Sequence, residues 1–523
     1  MSAILCVKTA KVCKNNLINC KSLHMIYSNM GVFIMNADLL HEVFISEANI
    51  SYKITRLVKQ GKARNIVGKL YTSNMTDDID KIINRRLWDI VGLLFPNSII
   101  ADRTAFDLKP NKHKEIFIIS DKSRSTTVGS YTIYPRKGAD IHKSDTPFMD
   151  NLYLPSTARK FLENMRMARR EKSIEPRYLS QKEVEEKLDA YIRSNGEVAV
   201  NKLRDEMREL APALGLEKEF QKINSIISAM LQTHEAILAS DVAIARSQGN
   251  AFDPKRAVLF TKLYEDLQNR APVFRKTANN SSSVLCFYEA YFSNYIEGTK
   301  FPVEDAMEIV FENKIPEDRP ADAHDIAGTY EIVFNLDEMK KTPRNFEELL
   351  EILKHRHKII MMGRPNKHPG EFKKRTNQAG TTVFVEPSLI IGTLKKGFEL
   401  YKKLDNAFSR AVFMMFMIAE VHPFDDGNGR LSRIMMNAEL IADNEQRIII
   451  PTVYRNNYLM SLKGLSHNGI TDAFIKTIDF AQKYTRSIDW SDSVKAGDLL
   501  KATNAFTENI DDENAILKLP KNI

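Results

Sequence analysis

HPFDDGNGRLSR, residues His422–Arg433, places a histidine, two carboxylates, a Gly-Asn-Gly turn and two arginines in one short stretch. The apolar run AVFMMFMIAEV (Ala411–Val421) leads into it, and LSRIMMNAEL (Leu431–Leu440) leads away. Both have helical character, so the polar stretch is predicted to be a loop between helices whose end opens the second helix. Gly427 and Gly429 let the backbone turn sharply and approach a ligand closely. Free N–H groups at a helix N-terminus make an anion site. Arg430 and Arg433 are three apart and therefore share a helix face. Together these residues describe a phosphate cradle with a general base and a metal carboxylate beside it.

Composition agrees with a soluble enzyme. The chain has 523 residues, 43% hydrophobic and 27% charged, enough for two to four domains. The apolar run Ala411–Ala419 is too short to span a bilayer, and no membrane segment is expected. Cys6, Cys13 and Cys20 recur every seven residues, but zinc-type CxxC spacing is absent. Residues 1–35 hold four lysines and no acid, lack the core of a signal peptide, and read as a leader, with Met30 and Met35 as alternative starts. Nothing requires disulfides, so the expected setting is reducing and cytoplasmic.

HPFDDGNGRLSR resembles the signature HPFx[DE]GNGRxxR of Fic-domain proteins and matches it at every specified position. That family transfers AMP from ATP to a hydroxyl side chain of a protein. The resemblance makes His422 the general base for a target Ser, Thr or Tyr, and Asp426, not Asp425, the carboxylate for Mg²⁺ (or Mn²⁺). It makes Gly427, Asn428 and Gly429 the anion hole, and Arg430 and Arg433 the arginines on the ATP phosphates. A related branch carries lysine at the position of Gly429 and acts as a kinase, so nucleotide transfer is favoured here. Upstream, SNYIEG resembles the inhibitory motif [ST]xxxE[GN] of Fic proteins. Ser293 and Glu297, four apart and followed by Gly298, are predicted to share a helix face. The resemblance pairs Glu297 with Arg433 and so blocks the γ-phosphate site, in the class whose inhibitory helix precedes the signature. Between the motifs, PGEFKKRTNQAGTTVFVEPSLI (Pro369–Ile390) looks like the Fic flap. TTVFVEP alternates and reads as a strand, and its edge could receive a target segment by strand addition.

Positive charge gathers near the start: residues 1–75 carry ten Lys or Arg and three acids. Within SYKITRLVKQGKARNIVGKLYT (Ser51–Thr72), Ile54, Leu57 and Val58 give a short helical face, Gly61 ends it, and ARNIVGKLY reads as a hairpin. Helix plus basic hairpin suggests a winged helix at 36–75, with Lys53 and Arg56 toward DNA phosphates; a solvated helix in a protein-binding domain is the other reading. Alternating strand and helix signals follow to residue 170. From about 36 to 170 the chain resembles the antitoxin family of abortive-infection type IV toxin–antitoxin systems, which implies a small α/β domain at 76–170. Glu175–Pro176 marks a break, 177–280 reads as a helical connector, 281–490 as the Fic domain and 491–523 as a helical tail. Phe413–Met417 suit a buried helix, KHRHK with His355 and His357 offers no metal site, and Tyr454 and Arg455 suggest packing or a nucleotide edge.

The expected fold is a mainly α Fic fold with a β-hairpin flap, preceded by a winged helix and a small α/β module, multidomain α+β. The expected function is adenylylation of a Ser, Thr or Tyr on a target protein, restrained by Glu297. Two other readings stay open: a DNA-binding toxin–antitoxin regulator with a nucleotide-sensing Fic domain, and a de-AMPylase. Expected partners are the target protein, DNA through the winged helix, and a second copy in a homodimer.

Overall fold

The computed structural model describes residues 41–149, 151–167, 173–277, 280–508 and 515–520. The leader at 1–35, with Cys6, Cys13, Cys20, Met30 and Met35, lies outside the described residues. The backbone divides into two compact units, Met1–Ile226 and Ile227–Ile523.

In the first unit, β1 (Val43–Ile45), β2 (Arg64–Val67) and β3 (Leu70–Thr72) form an antiparallel sheet of order β1-β3-β2. The helix Ser51–Lys59 stands between β1 and β2, and Gly68 takes a positive φ of 55° at the β2–β3 turn. Ile54 is buried and Leu57 half-buried, but Val58 is 40% exposed. The apolar face is thus narrower than its spacing suggests, because the helix has only nine residues and Val58 falls in its last turn.

The second sheet holds β4 (Ser98–Ile100), β5 (Glu115–Ile119), β6 (Thr126–Val128), β7 (Tyr131–Arg136), β8 (Thr146–Phe148) and β9 (Leu152–Leu154) in the order β6-β7-β5-β4-β9-β8. β5 pairs with β7, and β4 with β9, in parallel; the other pairs are antiparallel. Every residue of β5 is buried, which explains why EIFII reads as a continuous run rather than an alternating one. The break at Glu175–Pro176 is an anchored turn: Arg103 Nε donates to the Pro176 carbonyl at 3.0 Å, and buried Arg177 pairs with Asp102 at 2.9 Å. A capping box of Ser180 and Glu183 then starts the helix Gln181–Leu214.

The second unit is built around the histidine helix, Ala407–Val421. Phe413, Met414, Met415, Phe416 and Met417 are fully buried there. The helix packs against the arginine helix, Asn428–Ala442, to which the motif loop connects it. The unit boundary at Ile226 falls inside the segment expected to be a connector. Phe260, on the helix Pro254–Gln268, is buried against Phe413 and Phe416 with ring centroids 6.0 Å apart in each case. Part of that segment is therefore core of the second unit. The glutamate helix, Ser283–Ile296, packs on the helix Pro320–Phe334. The tail helix Ser493–Ala502 buries Leu500 in the same cluster as Tyr288 and Trp490.

The flap is shorter in strand than TTVFVEP suggests. Only β10 (Gln378–Ala379) and β11 (Thr382–Val383) pair, around a turn with Gly380 at φ 58°. An isolated two-stranded hairpin is marginal in water, and the chain leaves the ladder at Phe384, whose ring lies on His422. Among the described residues no helix is long and apolar enough to cross a membrane.

Candidate active site

Asn406 caps the histidine helix by accepting the Ser409 N–H at 2.8 Å. The helix ends at His422, whose φ of 52° and ψ of 59° are left-handed. Pro423 disfavours a right-handed helical conformation at the preceding residue, which fixes the end there. Asn428 then closes the motif loop on itself, its Oδ1 accepting the Phe424 N–H and its Nδ2 donating to the Phe424 carbonyl, both at 2.9 Å. Gly427 turns the chain at φ 74° into the arginine helix, and no side chain caps that helix. Its first N–H groups are thereby left for an anion.

His422 is half-buried, and its Nδ1 lies 3.2 Å from the Ala419 carbonyl. A carbonyl only accepts, so Nδ1 carries the proton and Nε2 presents a lone pair. Burial pushes its pKa down to about 4, which leaves the ring unprotonated at neutral pH. The Phe384 ring stacks on it at 3.7 Å and 6°.

The two aspartates separate. Asp425 Oδ2 meets His368 Nδ1 at 2.9 Å. Asp426 is half-buried and accepts the Gly427 N–H through Oδ1 at 2.7 Å. Among the described residues no three His, Cys, Asp or Glu side chains converge on one point. The one half-buried carboxylate of Asp426 beside an open helix N-terminus is a donor set compatible with an ion such as Mg²⁺, which takes few protein ligands and the rest from phosphate and water.

Arg433 is buried against the glutamate helix. Its Nε donates to Ser293 Oγ at 3.0 Å, and its terminal nitrogen to the Ser293 carbonyl at 2.8 Å and to Glu297 Oε1 at 2.7 Å. Glu297 is the C-cap of that helix and meets the same guanidinium as Ser293, and Gly298 follows at φ 97°. Its carboxylate lies over the start of the arginine helix, where a β-carbon on Gly429 would overlap it.

Arg430, the other motif arginine, meets a different set of partners. Its guanidinium lies on Asp325 Oδ2 at 2.6 Å and Asn294 Oδ1 at 3.3 Å, buried from solvent. A buried cation needs a partner, and here Asp325 already supplies it. Three further residues shape the site, of which the sequence singled out only His357, and not for this role. His357 is fully buried; its Nε2 donates to the Asp426 carbonyl at 3.0 Å while its Nδ1 accepts the Gly370 N–H at 2.9 Å. Arg256 spans from Glu420 on the histidine helix (3.0 Å) to the Val383 carbonyl on the flap (2.6 Å). Asp325 is the third. Arg455 donates to the Ile296 carbonyl at 3.0 Å, and Tyr454 packs on Phe480, so both serve helix packing.

Residues 345–440 match the Fic/DOC family, and the chain carries a Fic domain. Its second unit has the mainly helical Fic fold, and an α/β module precedes it in the chain. The chain is similar to the protein adenylyltransferase Fic of Drosophila yakuba, 26% identical over 219 residues, covering 40% of this chain and 42% of that protein. It is likewise similar to that of Drosophila ananassae, 26% identical over 222 residues, 39% of this chain and 43% of that one. The chain thus spans about two-fifths of the length of these curated relatives. Among solved structures, Fic-1 (residues 134–508) from C. elegans overlays with 18% identity, covering 61% of this chain and 100% of that one, at a TM-score of 0.34.

The histidines set a pH dependence of stability. Burial pushes both His357 and His422 down from 6.5 to about 4. The unfolded chain therefore binds more protons than the folded one between those values. Stability should be full above pH 6.5 and should fall as pH drops toward 4. Urea midpoints measured across that window check this, and His357→Gln should flatten the slope; an equally steep slope in the variant would rule out His357 as a source.

Proposed function

We propose that this protein is a protein adenylyltransferase whose resting state is held off by Glu297. The observation that carries the reading is the Glu297 carboxylate, paired with Arg433 at 2.7 Å and lying over Gly429 at the open end of the arginine helix. A carboxylate in that place supports a site built for phosphate oxygens. Relatives named protein adenylyltransferase support AMP as the group moved.

In this reading His422 Nε2 takes the proton from a Ser, Thr or Tyr hydroxyl on the target. The freed oxygen forms a bond to the α-phosphorus of ATP, the bond to the bridging oxygen breaks, and pyrophosphate leaves. A divalent ion held by Asp426 would offset phosphate charge. The first-turn N–H groups at Asn428 and Gly429 hold phosphate oxygens, and Arg433, once released from Glu297, binds the γ-phosphate. Arg430 stays with Asp325 and braces the loop.

Hydrogen bonds to charged groups contribute about 1.5–3 kcal/mol, roughly ten- to a hundredfold in rate. Glu297→Gly should raise labelling from radiolabelled ATP by that order, and His422→Ala in the same background should lower it by about 10²–10⁴-fold. Labelling by Glu297→Gly no stronger than the parent's, in lysate and across several metals, would sink the autoinhibitory reading. Parallel reactions with CTP, GTP and UTP identify the base.

The aspartates give a second test. Asp426→Ala should abolish metal-dependent transfer, and Asp425→Ala, which loses only the His368 contact, should be mild. The reverse ranking would move the metal to Asp425.

One observation favours a further role for the first unit. Arg56, Lys59 and Lys62 are exposed together at the end of a helix that precedes a β-hairpin, an arrangement suited to DNA phosphates as in a winged helix. Duplex binding by the full chain should weaken steeply with salt, and charge reversal at these three positions should lower the slope by about one per lost contact. Binding that ignores both salt and charge reversal would leave a protein-contact role instead.

A further inference from the structure

We propose that Phe384 of the flap is a positioning residue for His422: its ring is the wall that holds the imidazole on the Ala419 carbonyl and keeps water from it, so that closing the flap and preparing the base are one event. The inference rests on the proposed function only in naming His422 a base; the stacking geometry stands by itself.

The two rings are nearly parallel, at 3.7 Å and 6°. A contact this close leaves no room for water on that face of the imidazole. The stack also restricts rotation of the ring in the plane that keeps Nδ1 near the Ala419 carbonyl, which fixes the tautomer with Nε2 free to accept a proton. Phe384 is itself held in place from both sides. Its N–H donates to the Asn377 carbonyl at 3.1 Å, and Asn377 Nδ2 donates to the Phe424 carbonyl in the motif loop at 2.9 Å. On the other side Arg256 ties the neighbouring Val383 carbonyl to Glu420, two residues before His422. The flap base is joined as well, since the Lys373 N–H donates to the Pro423 carbonyl at 2.9 Å.

The charges around the imidazole show why a ring is needed there. Glu297 from the end of the glutamate helix and Asp426 from the motif loop favour the imidazolium, whereas Lys373 from the flap base opposes it. Two carboxylates against one lysine do not by themselves keep the ring neutral. Exclusion of water does, and Phe384 is the flap residue stacked on the ring.

The test is a histidine titration on the full chain labelled with ¹³C at His Cε1, the His422 signal being assigned by its loss in His422→Ala. In the parent His422 should titrate near 4. Phe384→Ala should move that midpoint upward, toward 6.5, by about one pH unit or more, while Phe384→Tyr, which keeps the stack, should hold it. Arg256→Ala should move it part of the way, and serves as the readout if Phe384→Ala does not fold. In the Glu297→Gly background the acid limb of kcat/KM should follow the same order. A His422 midpoint that is the same in Phe384→Ala, Arg256→Ala and the parent overturns the inference. Titrations that shift as expected with no transfer in any background would overturn the proposed function and leave this inference standing.

Discussion

The contact between Glu297 and Arg433 joins the wrong end of one helix to the right end of another. A carboxylate at a helix C-terminus faces the negative end of that helix's dipole and is unfavourable there. Glu297 occupies such a position. What offsets the cost is the arginine helix, whose uncapped N-terminus and buried Arg433 present positive charge to the same carboxylate. Other features follow from this placement. Gly429 gives the carboxylate its room, since a β-carbon there would overlap Glu297 where it now lies. Gly298 takes the left-handed turn that lets the chain leave directly after Glu297. Ser293 accepts two further hydrogen bonds from Arg433.

The motif loop keeps its shape through a second set of bonds. Asn428 clamps Phe424, His357 holds the Asp426 carbonyl and stacks on Phe424 at 3.7 Å, and Asp325 anchors Arg430. The signature residues thus divide between those exposed to a ligand and those that build the loop. Gly427 belongs to the second group as well, since a β-carbon there would come within 2.6 Å of Met361 Sδ.

The helix–loop–helix around HPFDDGNGRLSR was legible because its signals are local: apolar runs of helical spacing, a proline that stops one helix and glycines that admit the next. The pairing of Glu297 with Arg433 spans 136 residues of chain and could be read only through family resemblance. Arg256 acts across a comparable separation, 164 residues to Glu420, Asp325 and Phe384 across shorter ones, and none of the three carried a local mark. His357 did carry one. With Leu349, Leu353 and Ile360 it lies on the buried face of the helix Phe346–Ile360, yet KHRHK suggests a solvated basic stretch when its charge is read without its periodicity. Strand signals misled at TTVFVEP for the opposite reason: β-branched residues favour a ladder only where a partner strand continues.

Glu297 stands one residue past the end of its helix, as the C-cap, with a third of its side chain exposed. Letting go of Arg433 therefore demands only fraying of a terminus, the cheapest opening a folded chain can make. No helix has to move and no core has to be breached. Restraint of this kind is a competition for one guanidinium between a tethered carboxylate and an incoming anion. In the proposed function its strength would be set by mass action, making the device a graded rheostat tuned to nucleotide supply instead of a lock that is either shut or open.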